Sequence, residues 1–220
     1  MKDWEVQPKF LRIDKNTLRA TVQFKVNLKT AKNFPFYRLN QGIVDEIIKG
    51  VKAKKVNAYE YNSSPTWNFL LMQREDFIFK LSYYDDSVQD SIRLHPSDLY
   101  EMKVLGYWDL NTITQKTSFQ IVKIDLMIPK GTNLATQLGP IHLASFKYEE
   151  LKPYFEERYV QAKKAGRHYG TWIKPSNTLE RMSFAQALEK GLFTKRLVWY
   201  ANQQDSGLIW IFNRIQSKSS

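Results

Sequence analysis

Paired carboxylates, scattered histidines and a basic-aromatic segment are the residues of this sequence whose types could do chemistry. Glu149-Glu150 and Glu156-Glu157 could act as general acid and base if two of them faced one bond. They also fit the acidic start of a helix that closes on Lys163 and Lys164, where both signs of charge complement the backbone dipole. That helical reading outweighs catalysis. His95, His142 and His168 lie far apart, and none has a His or Glu three or four residues away in a metalloenzyme pattern. Asp85, Asp86 and Asp90 offer oxygen ligands to a hard cation but lack the spacing and closing Glu of a calcium loop. The absence of cysteine removes disulfides, thiolate catalysis and Cys-based zinc sites together. No G-x-S-x-G, phosphate loop or dinucleotide fingerprint occurs, and His95 before Pro96 reads as a turn residue. The sequence predicts no catalytic residue, no metal ligand and no cofactor.

Aromatic and cationic side chains point toward binding instead. Lys195 to Tyr200 interleaves both types, and the neighbours Trp199 and Tyr200 cannot face the same side of a strand. Exposed aromatics beside Arg and Lys are what protein contact surfaces use. Lys195, Arg196, Trp199 and Tyr200 are therefore the candidate partner-binding residues. A net charge of +11 raises a second reading, a basic module for nucleic acid or an anionic membrane surface. Its densest clusters, Lys49-Lys52-Lys54-Lys55 and Lys163-Lys164-Arg167, fall where helices should end, so dipole complementarity explains them, and no nucleic-acid partner is expected. A third reading, an enzyme built from dispersed Glu and His, requires a concave pocket with perturbed titratable groups.

These residues must be positioned by alternating strands and helices. Trp4 to Ile13 and Thr17 to Leu28 read as a hairpin turning at Asp14-Lys15-Asn16. In its second strand Leu18, Ala20, Val22, Phe24, Val26 and Leu28 alternate with polar residues, so one face is wet. A loop through Asn33-Phe34-Pro35-Phe36 leads to a helix from about Gln41 to Ala53, with Ile43, Ile47, Ile48 and Val51 on one side. Val56 to Tyr61 reads as a short strand, Asn62 to Pro65 as a turn, and Arg74 to Tyr83 as a helix broken at Asp85-Asp86-Ser87. Pro96-Ser97-Asp98 opens a helical turn; strands follow over Glu101 to Asp109 and Ser118 to Ile128, then an exit turn over Pro129 to Asn133. Ile141 to Phe146 is a strand, and the acidic-to-basic helix ends at Gly166, with Pro153 in its first turn or kinking it. Trp172 to Asn177 reads as a loop around Pro175. Ser183 and Gln186 form an S-x-x-Q capping box for a helix stopped by Gly191, with Met182 just ahead. Asn202 to Ser206 reads as a turn and Gly207 to Ile215 as a last strand. The expectation is one α+β domain with a mixed or largely antiparallel sheet and several short helices. Residues 1–30 form its N-terminal hairpin, 31–216 its body and 217–220 a disordered tail.

The string from Ser183 to Ser206 resembles the C-terminal signature of the GldN/PorN family of type IX secretion and gliding-motility components. Asn27-Leu28-Lys29 with Asn33, Pro35 and Tyr37 is similar to an N-terminal family element, and Pro96, Asp98, Tyr100, Trp108 and Ser118 recur at family-like intervals. The similarity spans Val22 to Gly207 and loosens at Gln23-Phe24-Lys25, where the family has a Trp-Arg-Glu run. It implies a non-enzymatic component of a periplasmic ring, built by self-association and with a GldK/PorK-type outer-membrane lipoprotein through which it is peripheral to that membrane. Family members are exported, whereas Met1 to Trp4 has no apolar leader. The resemblance therefore implies that a signal peptide has been removed.

Overall fold

The computed structural model describes residues 10–61, 69–85, 89–130 and 140–200. Its centre is a six-stranded sheet. Strands β1 (Phe10–Arg12), β2 (Thr17–Asn27), β5 (Glu101–Asn111), β6 (Thr117–Ile128) and β7 (Ile141–Lys147) follow in that order, and β10 (Arg196–Tyr200) joins β2 beside β1. Two small hairpins, β3 (Ser82–Asp85) with β4 (Asp90–Arg93) and β8 (Thr171–Lys174) with β9 (Asn177–Ser183), complete the strands. Every ladder among the described residues is antiparallel. The helices are α1 (Ile43–Lys52), α2 (Arg74–Phe79), α3 (Tyr148–Lys164) and α4 (Phe184–Glu189), with 3-10 turns at Ala31–Phe36 and Pro96–Asp98. The fold is α+β, as its sequence pattern implies.

Alternation in β2 decides which face is covered. Ala20, Val22, Phe24 and Val26 are buried and lie opposite Trp108, Gly106, Val104 and Met102 of β5. Ile124 and Leu126 of β6 continue the row, and Phe146, Phe155, Phe184 and Phe36 fill the space between sheet and helices. Phe184 sits 5.8 Å from both Phe36 and Phe155 by ring centroids. Each such side chain contributes about 1.5–3 kcal/mol through removal from water. Helix α1 presents Ile43, Ile47, Ile48 and Val51 to this core. Ser183 caps α4 as its sequence implies: its hydroxyl accepts from the Gln186 N–H at 3.1 Å, and the Gln186 side chain accepts from the Ser183 N–H at 3.2 Å. Gly191 follows with φ +65°, the left-handed geometry that a helix stop needs.

Strand β6 departs from simple alternation because the sheet is bulged. One bulge separates Leu105 from Gly106 against β6, and a Cβ at Gly106 would lie 2.1 Å from the Gln120 carbonyl oxygen. Only glycine fits there. Beyond the bulge both faces of β6 are buried from Lys123 to Ile128, and the segment around Tyr59 bridges to the edge of β7 at Ser145.

Several sequence expectations are corrected. The Asn33 to Phe36 loop is a 3-10 helix in which Pro35 is buried. Val56 to Tyr61 is no strand, because the Lys55 and Val56 N–H groups turn back to the Gly50 carbonyl and only Tyr59 makes bridges. The helix from Arg74 stops at Phe79, since Ser82 onward finds a ladder in β4. Trp172 to Asn177 is the β8–β9 hairpin, with Trp172 opposite Met182. Pro153 lies inside α3 past its first turn. Residues before Phe10, the Asn62–Pro65 turn, the Gly131–Asn133 part of the exit turn, and the turn, last strand and tail after Tyr200 lie outside the described residues.

Candidate interaction seam

The four candidate contact residues sit at one edge of the sheet. Arg196 pairs in register with Lys25, Trp199 with Gln23 and Tyr200 with Val22, with an irregularity between Leu197 and Trp199. Lys195, just before this strand, is half-buried. Its Nζ lies 4.4 Å from the Phe24 ring, 5.1 Å from Phe119 and 5.2 Å from Phe193. Desolvation in that aromatic box pushes the ammonium below its ordinary pKa. The rings return part of the cost through cation–π attraction. Arg196, by contrast, is exposed.

A buried amide fixes the start of the same strand. Asn33 is fully buried, and its Oδ1 accepts from the Thr194 N–H at 2.7 Å. Its Nδ2 donates to the Thr194 carbonyl at 2.9 Å and to the Asn27 carbonyl at 2.7 Å. Lys29, two residues on, sits 4.0 Å over the Tyr100 ring, and the Tyr37 hydroxyl donates to the Ser97 carbonyl at 2.7 Å. Segments 27–37, 97–100 and 193–196 thus meet in one seam. The sequence marks each segment separately. It does not say that they touch.

One member of each acidic pair is engaged in structural bonds. Glu150 accepts from the Tyr59 hydroxyl and, at 3.3 Å, from the Asn57 N–H. Burial first, and then Glu150, push Tyr59 up to about 12. Glu157 pairs with Lys55. His95 caps the Pro96–Asp98 turn, its ring nitrogen accepting from the Ser97 N–H at 3.3 Å. Among the described residues no group of three His, Cys, Asp or Glu could hold a metal ion.

One cluster escaped the sequence reading. On the outer face of β6 and β7, the Ser145 hydroxyl donates to Asp125 Oδ1 at 2.6 Å, and His142 Nε2 lies 3.1 Å from Ser145 Oγ. Lys123 Nζ reaches the same Asp125 oxygen at 3.2 Å, and the Tyr61 ring lies 4.8 Å from that of His142 by centroids, tilted by 50°. The cluster has the residue types of a nucleophilic triad but not its wiring. A serine nucleophile must give its proton to the histidine, and here that proton goes to the carboxylate. Burial alone would raise the Asp125 pKa; bonds from His142 and Ser145 and the Lys123 charge outweigh it and hold the carboxyl below its usual range. The signal available in sequence was slight. Lys123 and Asp125 share a strand face, and His142 and Ser145 share one only because of the bulge at Leu126/Met127.

Among the described residues no helix is long and apolar enough to cross a membrane. A family model described as "Gliding motility associated protein GldN" matches residues 12–219. No curated protein matches the chain.

Proposed function

The chain belongs to the GldN family and is a structural component of the gliding-motility and type IX secretion machinery, and we propose that it serves there as a non-enzymatic ring subunit. In this reading it lies in the periplasm against the outer membrane, bound to a GldK/PorK-type lipoprotein and to further copies of itself. A closed ring needs head-to-tail contacts, so each subunit must present two unlike surfaces. The observation that supports this is apolar exposure at both opposite edges of the sheet. Beside the β2–β10 edge stands Phe34, 58% exposed, on the turn that Asn33 anchors to Thr194. Beside β7 stand Leu70 and Leu71, 68% and 53% exposed, on the segment bridged through Tyr59 to Ser145. Three strand spacings, about 14 Å, separate β2 from β7. Lys195 and Arg196 belong to the first surface, with Arg196 as its exposed cation.

Co-purification with a GldK-type lipoprotein lacking its lipid anchor, followed by light scattering and negative-stain microscopy, tests the assignment. A complex that persists at physiological salt, and closes into rings, is the expected result. Retention of nucleic acid or anionic liposomes in its place, lost steeply as salt rises, would replace it with the basic-module reading.

A further inference from the structure

Two isoleucines stand in turns, where polar residues are the rule. Ile13 opens the β1–β2 turn and is 50% exposed; Ile113 lies in the β5–β6 turn and is 70% exposed. Both turns belong to the same end of the sheet, because Thr17 at the start of β2 pairs with Asn111 at the end of β5. They are also tied together. The Thr112 N–H donates to the Asn16 carbonyl at 2.8 Å, and the Thr112 hydroxyl to the same oxygen at 3.2 Å. Each turn is held from within as well. Asp14 Oδ1 accepts from the Asn16 N–H at 2.7 Å, and the Ile13 N–H donates to the Thr17 carbonyl at 3.0 Å. Asn111 Oδ1 accepts from the Ile113 and Thr114 N–H groups at 3.1 and 2.8 Å. The backbone thus fixes two large apolar side chains in water, and neither belongs to the core.

A single exposed apolar residue is ordinary, but two on adjoining, hydrogen-bonded turns make one surface. The charges beside them are cationic. Arg12 precedes Ile13, Lys15 follows it, and Lys116 closes the other turn; all three are exposed. Among the described residues none of the three enters an ion pair. Asp14 is the one carboxylate of residues 12–16 and 111–116, and it is turned onto the Asn16 N–H. Two projecting turns reach into a layer; they do not enclose a ligand. Apolar tips with cations at their base match a bilayer, whose acyl boundary lies beneath a plane of phosphates. We propose that the joined ends of the β1–β2 and β5–β6 hairpins form a membrane-contact surface for an anionic lipid bilayer. Ile13 and Ile113 enter its interfacial layer, and Arg12, Lys15 and Lys116 lie against its headgroups. This goes beyond the ring reading and does not rest on it, since the ring surfaces lie at the edges of the sheet and this one at the strand ends.

The test is sedimentation of the whole chain with vesicles of phosphatidylglycerol and phosphatidylcholine in equal parts, against vesicles of phosphatidylcholine alone. Half-binding to the anionic vesicles is expected at accessible lipid on the order of 0.1–1 mM, with much weaker binding to the neutral ones. Ile13→Ser combined with Ile113→Ser should weaken the binding about tenfold or more. Its urea midpoint should stay unchanged, because both positions are exposed. Arg12→Gln, Lys15→Gln and Lys116→Gln together should remove the preference for anionic lipid. The chain has no cysteine, so Ile113→Cys carries an environment-sensitive fluorophore at one site. Its emission should shift to the blue on anionic vesicles, and that of Phe34→Cys, at the sheet edge, should not. Binding to a GldK-type lipoprotein lacking its lipid anchor should survive in the double serine variant, so loss of membrane contact and loss of the ring are separate results. Absence of binding to anionic vesicles overturns the proposal, and loss of the lipoprotein complex in the serine variant would then assign the tips to a protein contact. Undiminished vesicle binding by that variant also overturns it, leaving the overall basic charge as the cause.

Discussion

Asn33 joins two distant parts of the chain through its single amide, bonding Thr194 on both sides and Asn27 on one. Truncation there strands buried backbone groups as well as removing bonds. Asn33→Ala should cost about 2–3 kcal/mol, read as a lower urea midpoint with unchanged slope. An unchanged midpoint would mean that the 27–37 and 193–196 segments are held together by packing alone. Asp125 illustrates a different economy of charge. Its carboxyl is held below the usual range in the folded chain, so its stabilisation is complete above the unfolded value near about pH 4 and is lost as pH falls through the folded value. Asp125→Asn leaves Lys123 buried without its partner and should destabilise by about 3 kcal/mol at neutral pH. The variant should also show a flatter loss of stability below about pH 4 than the natural chain. Parallel acid-unfolding curves for the two would remove Asp125 from the acid response.

At the scale of elements, two bulges flank β6. The one against β7 lets His142 share the outer face with Ser145, Asp125 and Lys123 while Ile124 and Phe146 stay in the core; the other, against β5, sits at Gly106. Gly106→Ala places a methyl against the Gln120 carbonyl and should cost about 3 kcal/mol by forcing the two strands apart. If calorimetry gave a loss below about 1 kcal/mol, the bulge would have to be adaptable rather than fixed by Gly106. Helix α4 was legible because capping chemistry is local: the Ser183–Gln186 pair works within one turn and needs no distant partner. The strand ladder that truncates the Arg74 helix was not legible, because its ladder partner, Asp90–Arg93, lies further along the chain than any local pattern reaches. Trp172 to Asn177 misled for the same reason. Pro175 marks a turn, and only pairing with Asn177–Ser183 makes the flanking residues strands.

At the scale of the molecule, a head-to-tail ring makes a prediction about mixtures. Phe34→Asp should disable one sheet edge and Leu70→Asp with Leu71→Asp the other, so that neither protein assembles alone. Mixed together they keep one intact pair of surfaces and should form 1:1 dimers, and nothing larger, by light scattering. Rings from either variant alone would place the contacts elsewhere on the surface. The sequence by itself determined the class of fold, the alternating core row of β2, the cap of α4 and membership of a secretion and motility family. Periodicity and capping act over a few residues, and the family likeness is carried by residue order, so all of these survive in a linear string. Only the tertiary structure brought Asn33 to Thr194, set Lys195 against Phe24, Phe119 and Phe193, and gathered Asp125 with His142 and Ser145. Those juxtapositions depend on strand register, bulge position and burial, which are set by the whole chain closing on one core and are written in no short segment of it.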